Sequence, residues 1–219
     1  MPDITLYFLQ ASRSIRIAWL LEELGVAYRV EAWERENNKA PADFKAAAST
    51  ALGKAPVLRD GELTILESGA ITDYLVENYD PTHRLLPLDT AQRSKVRQWI
   101  HAAEGTFMVH CLAITYARWF SSPSSKTNGD LETLEQGLAI NVQKDLEWLE
   151  TELQANGGDW LVGEDVTAAD TMVAFSVQFI FARGLGGQRG RWKGVDRWLE
   201  NVEGREAYKR AVEKTGHKL

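Results

Sequence analysis

The sequence contains a single cysteine, Cys111, among 219 residues. One thiol cannot close an internal disulfide, so the composition gives no sign of an oxidising compartment. It also excludes a structural zinc site built mainly from cysteines, and no metal is expected. Basic residues are in deficit: 25 Lys and Arg stand against 31 Asp and Glu, for a net charge of −6. A nucleic-acid surface needs a basic stripe, so no nucleic-acid partner is expected. No stretch approaches the ~18 consecutive apolar residues of a membrane span. The opening Met1-Pro2-Asp3-Ile4-Thr5 lacks the basic region and apolar run of a signal peptide. Together these absences lead to the expectation of a cytoplasmic protein without a transmembrane segment. Gly-x-Ser-x-Gly is missing, and the four histidines (His83, His101, His110 and His217) show no triad spacing.

What is present is ordinary for a folded chain: 44% hydrophobic and 26% charged residues, which excludes disorder and collagen-like structure. At roughly 150 residues per domain, the length suits one large domain or two small ones. Ile4 to Leu9 is a β-branched and aromatic run, hence a strand. Ile17, Leu20, Leu21 and Leu24 recur at helical spacing and Gly25 supplies a stop. Val26 to Trp33 reads as a second strand, completing a strand–helix–strand unit that favours parallel pairing. Residues 34–55 read as irregular, with a short helix near Asp43 to Ala48. Two apolar runs around Asp60-Gly61 predict a hairpin, followed by a helix over Ser68 to Tyr79.

The two prolines of residues 81–90, Pro81 and Pro87, mark a linker. Beyond it strand signals vanish. Helices are expected over Ala91–Ala117, Leu131–Leu153, Ala168–Arg183, Val195–Val202 and Glu206–Lys214, with a break at Ser121–Ser125. Trp99, Trp119 and Trp148 fall on helical stripes and read as core. The fold expected is therefore α/β plus all-α, with a small α/β domain over residues 1–80 and a helical domain over 91–219.

Three groups of residues carry chemistry. Ala55-Pro56 enters the Val57 strand, where proline is tolerated at the start. From the dipeptide alone a trans bond is expected, since only about 5% of X–Pro bonds are cis; a cis bond would turn a backbone edge outward for a peptide-like ligand. Glu67-Ser68 lies between a strand and a helix. Ser68 reads as an N-cap at a helix start that suits a carboxylate, and Glu67 could pair an ammonium, so one zwitterionic ligand would satisfy both. The plainer alternative is a capping serine beside a solvated glutamate. Ser12-Arg13-Ser14-Ile15-Arg16 follows the first strand. A hydroxyl there, without a general base, suits hydrogen-bond donation to an anion better than nucleophilic attack, with a cap cluster as the alternative.

These segments together resemble the glutathione transferase family over essentially the whole chain. The resemblance is carried by Ser12 to Gly25 (Ser-Arg-Ser-Ile-Arg-Ile-Ala-Trp-Leu-Leu-Glu-Glu-Leu-Gly), by Leu52-Gly53-Lys54-Ala55-Pro56-Val57-Leu58, and by Glu67-Ser68-Gly69-Ala70-Ile71. Leu161 to Asp170 adds a Thr167-x-x-Asp170 capping box, with Thr171 departing from the usual aliphatic residue. Trp19 to Leu24 and Ala103-Glu104-Gly105-Thr106 are similar to the fungal and bacterial subgroup near the yeast enzymes.

The resemblance implies a thioredoxin-like N-terminal domain (βαβ-ββα), an all-helical C-terminal domain and a homodimer. It implies a cis bond at Pro56, with the Ala55 backbone pairing the cysteinyl part of glutathione as co-substrate. Glu67 and Ser68 would hold the γ-glutamyl ammonium and carboxylate, Lys54 with Asn38 or Lys39 the glycyl carboxylate, and Glu104 would reach the glutathione of either subunit or simply be solvated. Catalysis would be stabilisation of the thiolate, with Ser12 the first candidate donor, then Ser14, then Tyr7. A pocket between the domains, lined by Phe107, Met108, Cys111, Tyr116 and Trp119, would take a small hydrophobic electrophile. Reductase-type relatives carry a cysteine in the first loop; residues 10–14 here are Gln, Ala, Ser, Arg and Ser, so reductase or thiol-transferase chemistry is disfavoured, and glutathione-dependent peroxidase or reductase activity stands as a second alternative. A non-catalytic binding or scaffold module is the alternative from another class.

Overall fold

A parallel pair is the first element of order in the computed structural model, which describes residues 3–219. Strand β1 (Ile4–Leu9) is buried along its whole length, as a run apolar on both faces requires. Helix α1 (Ser14–Leu24) follows and ends where Gly25, at φ 65°, returns its N–H to the Glu22 carbonyl. Strand β2 (Tyr28–Trp33) then pairs parallel with β1, Leu6 opposite Val30. Helix α2 (Ala42–Ala48) leads to strands β3 (Val57–Asp60) and β4 (Leu63–Leu66), an antiparallel hairpin. Its two-residue turn places Gly61 at φ 56°, a conformation glycine adopts without steric cost. The mixed sheet runs β2-β1-β3-β4, the thioredoxin-like arrangement. Helix α3 (Ser68–Tyr79) closes this part of the chain.

The remaining elements are helical: α4 (Thr90–Ala102), a π-helical turn (Ala103–Met108), α5 (Val109–Phe120), α6 (Pro123–Thr127), α7 (Asp130–Ala155), α8 (Ala168–Arg183), α9 (Lys193–Gly204) and α10 (Glu206–Thr215). Two differences from the expected elements have clear causes. The helix foreseen over Ala91–Ala117 is divided by the π-helical turn, in which each carbonyl is met one residue later than in an α-helix. The Ser121–Ser125 break holds α6, because the Ser122 hydroxyl accepts the Ser125 N–H and Pro123 occupies the first turn.

The chain divides into two compact units, Met1–Arg93 with Val202–Leu219, and Ser94–Asn201. The C-terminal segment thus leaves the helical part to which residues 91–219 were assigned. It does so because α10 lays Ala207, Tyr208, Ala211 and Thr215 inward. Tyr208 meets Trp19 of α1 edge-on at 5.3 Å, and Arg210 pairs with Glu22 at 2.9 Å. In the second unit, Val142, Leu146, Leu149 and Leu153 of α7 form a buried stripe. Trp99 stacks on Trp148 at 4.3 Å. Trp119, expected in such a core, is instead 47% exposed. The buried Asp170 carboxylate starts α8: it accepts the Thr167 N–H and hydroxyl, the Leu161 N–H and the Trp198 indole N–H, at 2.8–3.1 Å.

Candidate functional site

Sheet register brings three distant stretches to one end of the sheet. Tyr7, near the end of β1, pairs with Val57, and Val57 pairs with Leu66. The loop after β1, the peptide before β3 and the residues after β4 therefore emerge side by side. With adjacent strands about 4.8 Å apart, two gaps span about 10 Å, close to the reach of an extended tripeptide. The Ala55–Pro56 peptide at the middle position is cis.

The third position is the start of α3. Ser68 was expected to cap this helix, but Glu67 occupies the cap position and Ser68 is the first helical residue. Glu67 has φ 71°, a conformation that costs a non-glycine residue about 1–3 kcal/mol and that clusters at ligand sites. Its side chain makes no capping bond and is exposed. The N–H groups of the first turn of α3 have no intrahelical acceptors, and the dipole there is positive. Ser68 is only 2% exposed, and its hydroxyl oxygen accepts a hydrogen bond from Nη1 of the buried Arg16 at 3.1 Å.

The first position is the loop from Gln10 to Arg13, turned by Ala11 at φ 48°. Ser12 Oγ lies 2.6 Å from the Leu9 carbonyl and 2.9 Å from Ser14 Oγ, and accepts the Ser14 N–H at 3.2 Å. Its one hydrogen thus has two internal acceptors. Ser14 has no exposed surface, whereas Ser12 retains 7%. Tyr7, 2% exposed, stacks on Trp33 at 6.2 Å within an apolar cluster containing Phe44 and Val57. Burial pushes its phenol above the ordinary value, against the lowering effect of the Arg59 guanidinium.

Two residues that hold this loop have no role in the sequence-based reading. Arg35 donates from Nε to the Gln10 carbonyl at 2.9 Å, from Nη2 to the Ala11 carbonyl at 3.1 Å, and from Nη1 to the Asn38 carbonyl at 3.2 Å. Gln10 donates from Nε2 to the Thr215 carbonyl at 2.8 Å, tying the loop to the end of α10. Beside Arg35, Glu36 and Lys39 exchange backbone hydrogen bonds around Asn37 and Asn38, at φ 50° and 64°. Asn-Asn in a two-residue turn was the available signal, because asparagine tolerates this region. Lys39 and Lys54 are exposed.

The other anticipated residues lie in the second unit. Phe107 has no exposed surface and sits 6.2 Å from Trp148 in a stacked arrangement; Cys111 is fully buried and Met108 is 3% exposed. Tyr116 and Trp119 are 44% and 47% exposed and form an aromatic group with Phe120 on α5. Glu104 is half-buried in the π-helical turn.

Comparison with known proteins follows the same division. Residues 2–77 match the model of the glutathione S-transferase N-terminal domain, and residues 130–201 that of the glutathione S-transferase C-terminal domain. Glutathione S-transferase 3 of Schizosaccharomyces pombe is 30% identical over 96% of this chain and 87% of its own length. Glutathione S-transferase 1 of Saccharomyces cerevisiae is 25% identical over 98% and 96%. The crystal structure of a glutathione S-transferase from Actinobacillus pleuropneumoniae, 33% identical, covers 99% of this chain and 94% of its own with a TM-score of 0.83.

Proposed function

The chain belongs to the glutathione S-transferase family, and from that premise we propose that its first unit binds glutathione across the end of the sheet and keeps the thiol ionised for attack on a hydrophobic electrophile. The observation that carries this reading is the Tyr7–Val57–Leu66 register, which aligns the first loop, Pro56 and Glu67-Ser68 over the length of one tripeptide. Glu67 takes the γ-glutamyl ammonium, and Ser68 with the first turn of α3 takes the carboxylate. The Ala55 backbone pairs the cysteinyl residue, and the exposed Lys54 and Lys39 face the glycyl carboxylate.

A free cysteine thiol with pKa near 8.5 is a few per cent ionised at pH 7. One charge-assisted hydrogen bond contributes about 1.5–3 kcal/mol and the α1 dipole about 0.3–1 kcal/mol, enough for a shift of one to two pKa units. Ser12 is the donor we assign. Its surface exposure exceeds that of Ser14 and Tyr7, and turning its hydrogen from Leu9 to the ligand sulfur needs only rotation about its Cβ–Oγ bond. The thiolate then forms a bond to carbon of the electrophile, which accepts the electron pair or expels its leaving group. Tyr116 and Trp119 supply aromatic surface suited to such substrates, and the enzyme works as a homodimer.

Retention on immobilised glutathione, followed by conjugation of an activated aryl halide, tests the proposal. Retention with turnover supports it. Retention without turnover would instead favour a ligand-binding module, and failure of both would remove the glutathione reading.

A further inference from the structure

The geometry points to Arg16 as a positioning residue that holds the Ser68 hydroxyl as an outward hydrogen-bond donor, and so decides that the carboxylate, not the ammonium, of a zwitterionic ligand settles at the start of α3. This rests on the glutathione reading above and adds to it a residue from another element. Arg16 lies on α1 without exposed surface, although arginine is almost never fully buried without polar partners. Its Nη1 is 3.1 Å from Ser68 Oγ. A guanidinium has five donors and no acceptor and does not lose its proton in proteins. In this contact Ser68 can only accept.

A serine hydroxyl has one hydrogen, and accepting from Arg16 fixes the direction in which that hydrogen is not used. The bond to Arg16 is the single hydrogen bond that the Ser68 side chain makes among the described residues. The hydrogen therefore remains for a ligand. It stands at the first helical position of α3, beside backbone N–H groups that also seek an acceptor and at the positive end of a 12-residue helix. All of these favour an anion and oppose an ammonium. Glu67, exposed and acidic, stands next to them with the opposite preference. The pair has a polarity, and the buried cation sets one half of it.

The test is isothermal titration of the intact protein with glutathione and with 4-aminobutyryl-cysteinyl-glycine, which lacks only the γ-glutamyl carboxylate. Arg16→Met should weaken glutathione binding about tenfold while changing binding of the analogue less than about twofold, the loss expected for one charge-assisted hydrogen bond. Arg16→Lys, which keeps the charge and a donor, should recover most of the affinity. In a Ser68→Ala background Arg16→Met should have little further effect. Equal losses on both ligands, or no loss, would overturn the role of Arg16 while leaving glutathione binding intact. Absence of glutathione binding by the unaltered protein would overturn both readings. If the variants fail to fold, the unaltered protein still decides: in spectra of ¹⁵N-arginine-labelled protein, the Arg16 guanidinium signal should move on saturation with glutathione and stay in place with the analogue. The same shift with both ligands would refute the assignment.

Discussion

Replacing Glu23 with alanine should cost more stability than any neighbouring surface substitution. Its side chain is 4% exposed and serves three stretches of chain. Oε1 accepts the Trp19 indole N–H at 2.9 Å and the Arg205 Nε–H, Oε2 accepts Arg205 Nη2 at 3.0 Å, and Arg84 Nη2 lies 3.3 Å from Oε2. One carboxylate thereby fastens both the turn at Arg84 and the residue before α10 to α1. Removing one member of a buried ion pair costs about 3–5 kcal/mol, because the partner keeps its burial and loses its compensation. Arg84 and Arg205 are 34% and 25% exposed, so water partly replaces the lost anion. We therefore expect about 2–4 kcal/mol for Glu23→Ala, or roughly 5–12 °C in melting temperature for a chain of this size. Scanning calorimetry of Glu23→Ala, Arg205→Ala and the double variant measures it. The double variant should be no less stable than Glu23→Ala alone, to within about 0.5 kcal/mol. A loss below about 1 kcal/mol for Glu23→Ala, or simple additivity with Arg205→Ala, would show that the network is a bystander.

Three further outcomes follow from the first loop and the C-terminal tail. Ser12→Ala should raise the pKa of the bound glutathione thiol by about one unit and lower kcat/KM about tenfold below pH 7, as read from the pH–rate profile; an equal effect from Tyr7→Phe would reassign the donor. Arg35→Met removes three donors to the Gln10, Ala11 and Asn38 carbonyls, and should raise the KM for glutathione severalfold with a smaller change in kcat; an unchanged KM would refute a role in holding the loop. Burial holds the His217 imidazole down to about 4, against an ordinary value of 6.5. The unfolded chain binds this proton first, so stability falls as pH drops from 6.5 towards 4, by up to about 3 kcal/mol. His217→Phe, which keeps the ring against Phe8, should flatten that window in melting curves taken from pH 7 to 4; an unchanged slope would exclude His217 as the source.

Ile4–Leu9 and Ala168–Arg183 were legible because each is governed by its own residues: an unbroken apolar run in one, a capping pair and a buried surface in the other. The juxtaposition of Glu67 and Ser68, to which we assign the γ-glutamyl group, needed no long-range information, since the two are adjacent and one peptide places both. The cap at Ser68 was misplaced by one residue because Glu67 adopts φ 71°, and glutamate has no local preference for that region. Arg16, Arg35 and Gln10 could not be found in this way, as their partners lie 52, 25 and 205 residues away. What makes them visible afterwards is donor bookkeeping: an arginine can only donate, so each oxygen it reaches has its role decided for it.

The aromatic residues show where local patterning ends. Trp99 and Trp119 both lie on helical stripes, yet one is buried and the other 47% exposed. Between them lies the Ala103–Met108 turn, with its i→i+5 closure. The buried positions Val96, Trp99, Ala103, Phe107, Cys111 and Ile114 nevertheless keep spacings of three and four straight through it. At about 100° per residue Trp119 stands roughly 200° round the helix from Trp99, so the two never shared one stripe. Tyr116, Trp119 and Phe120 are exposed on α5, while Phe107, inside the turn, is packed with Trp99 and Trp148. With the substrate surface proposed on this exposed group, electrophile preference should respond to Trp119→Ala but not to a volume-conserving Phe107→Leu. Substrate profiling of both variants over aryl electrophiles of increasing size checks this, and a changed preference in Phe107→Leu alone would place the substrate surface on the other side of the turn.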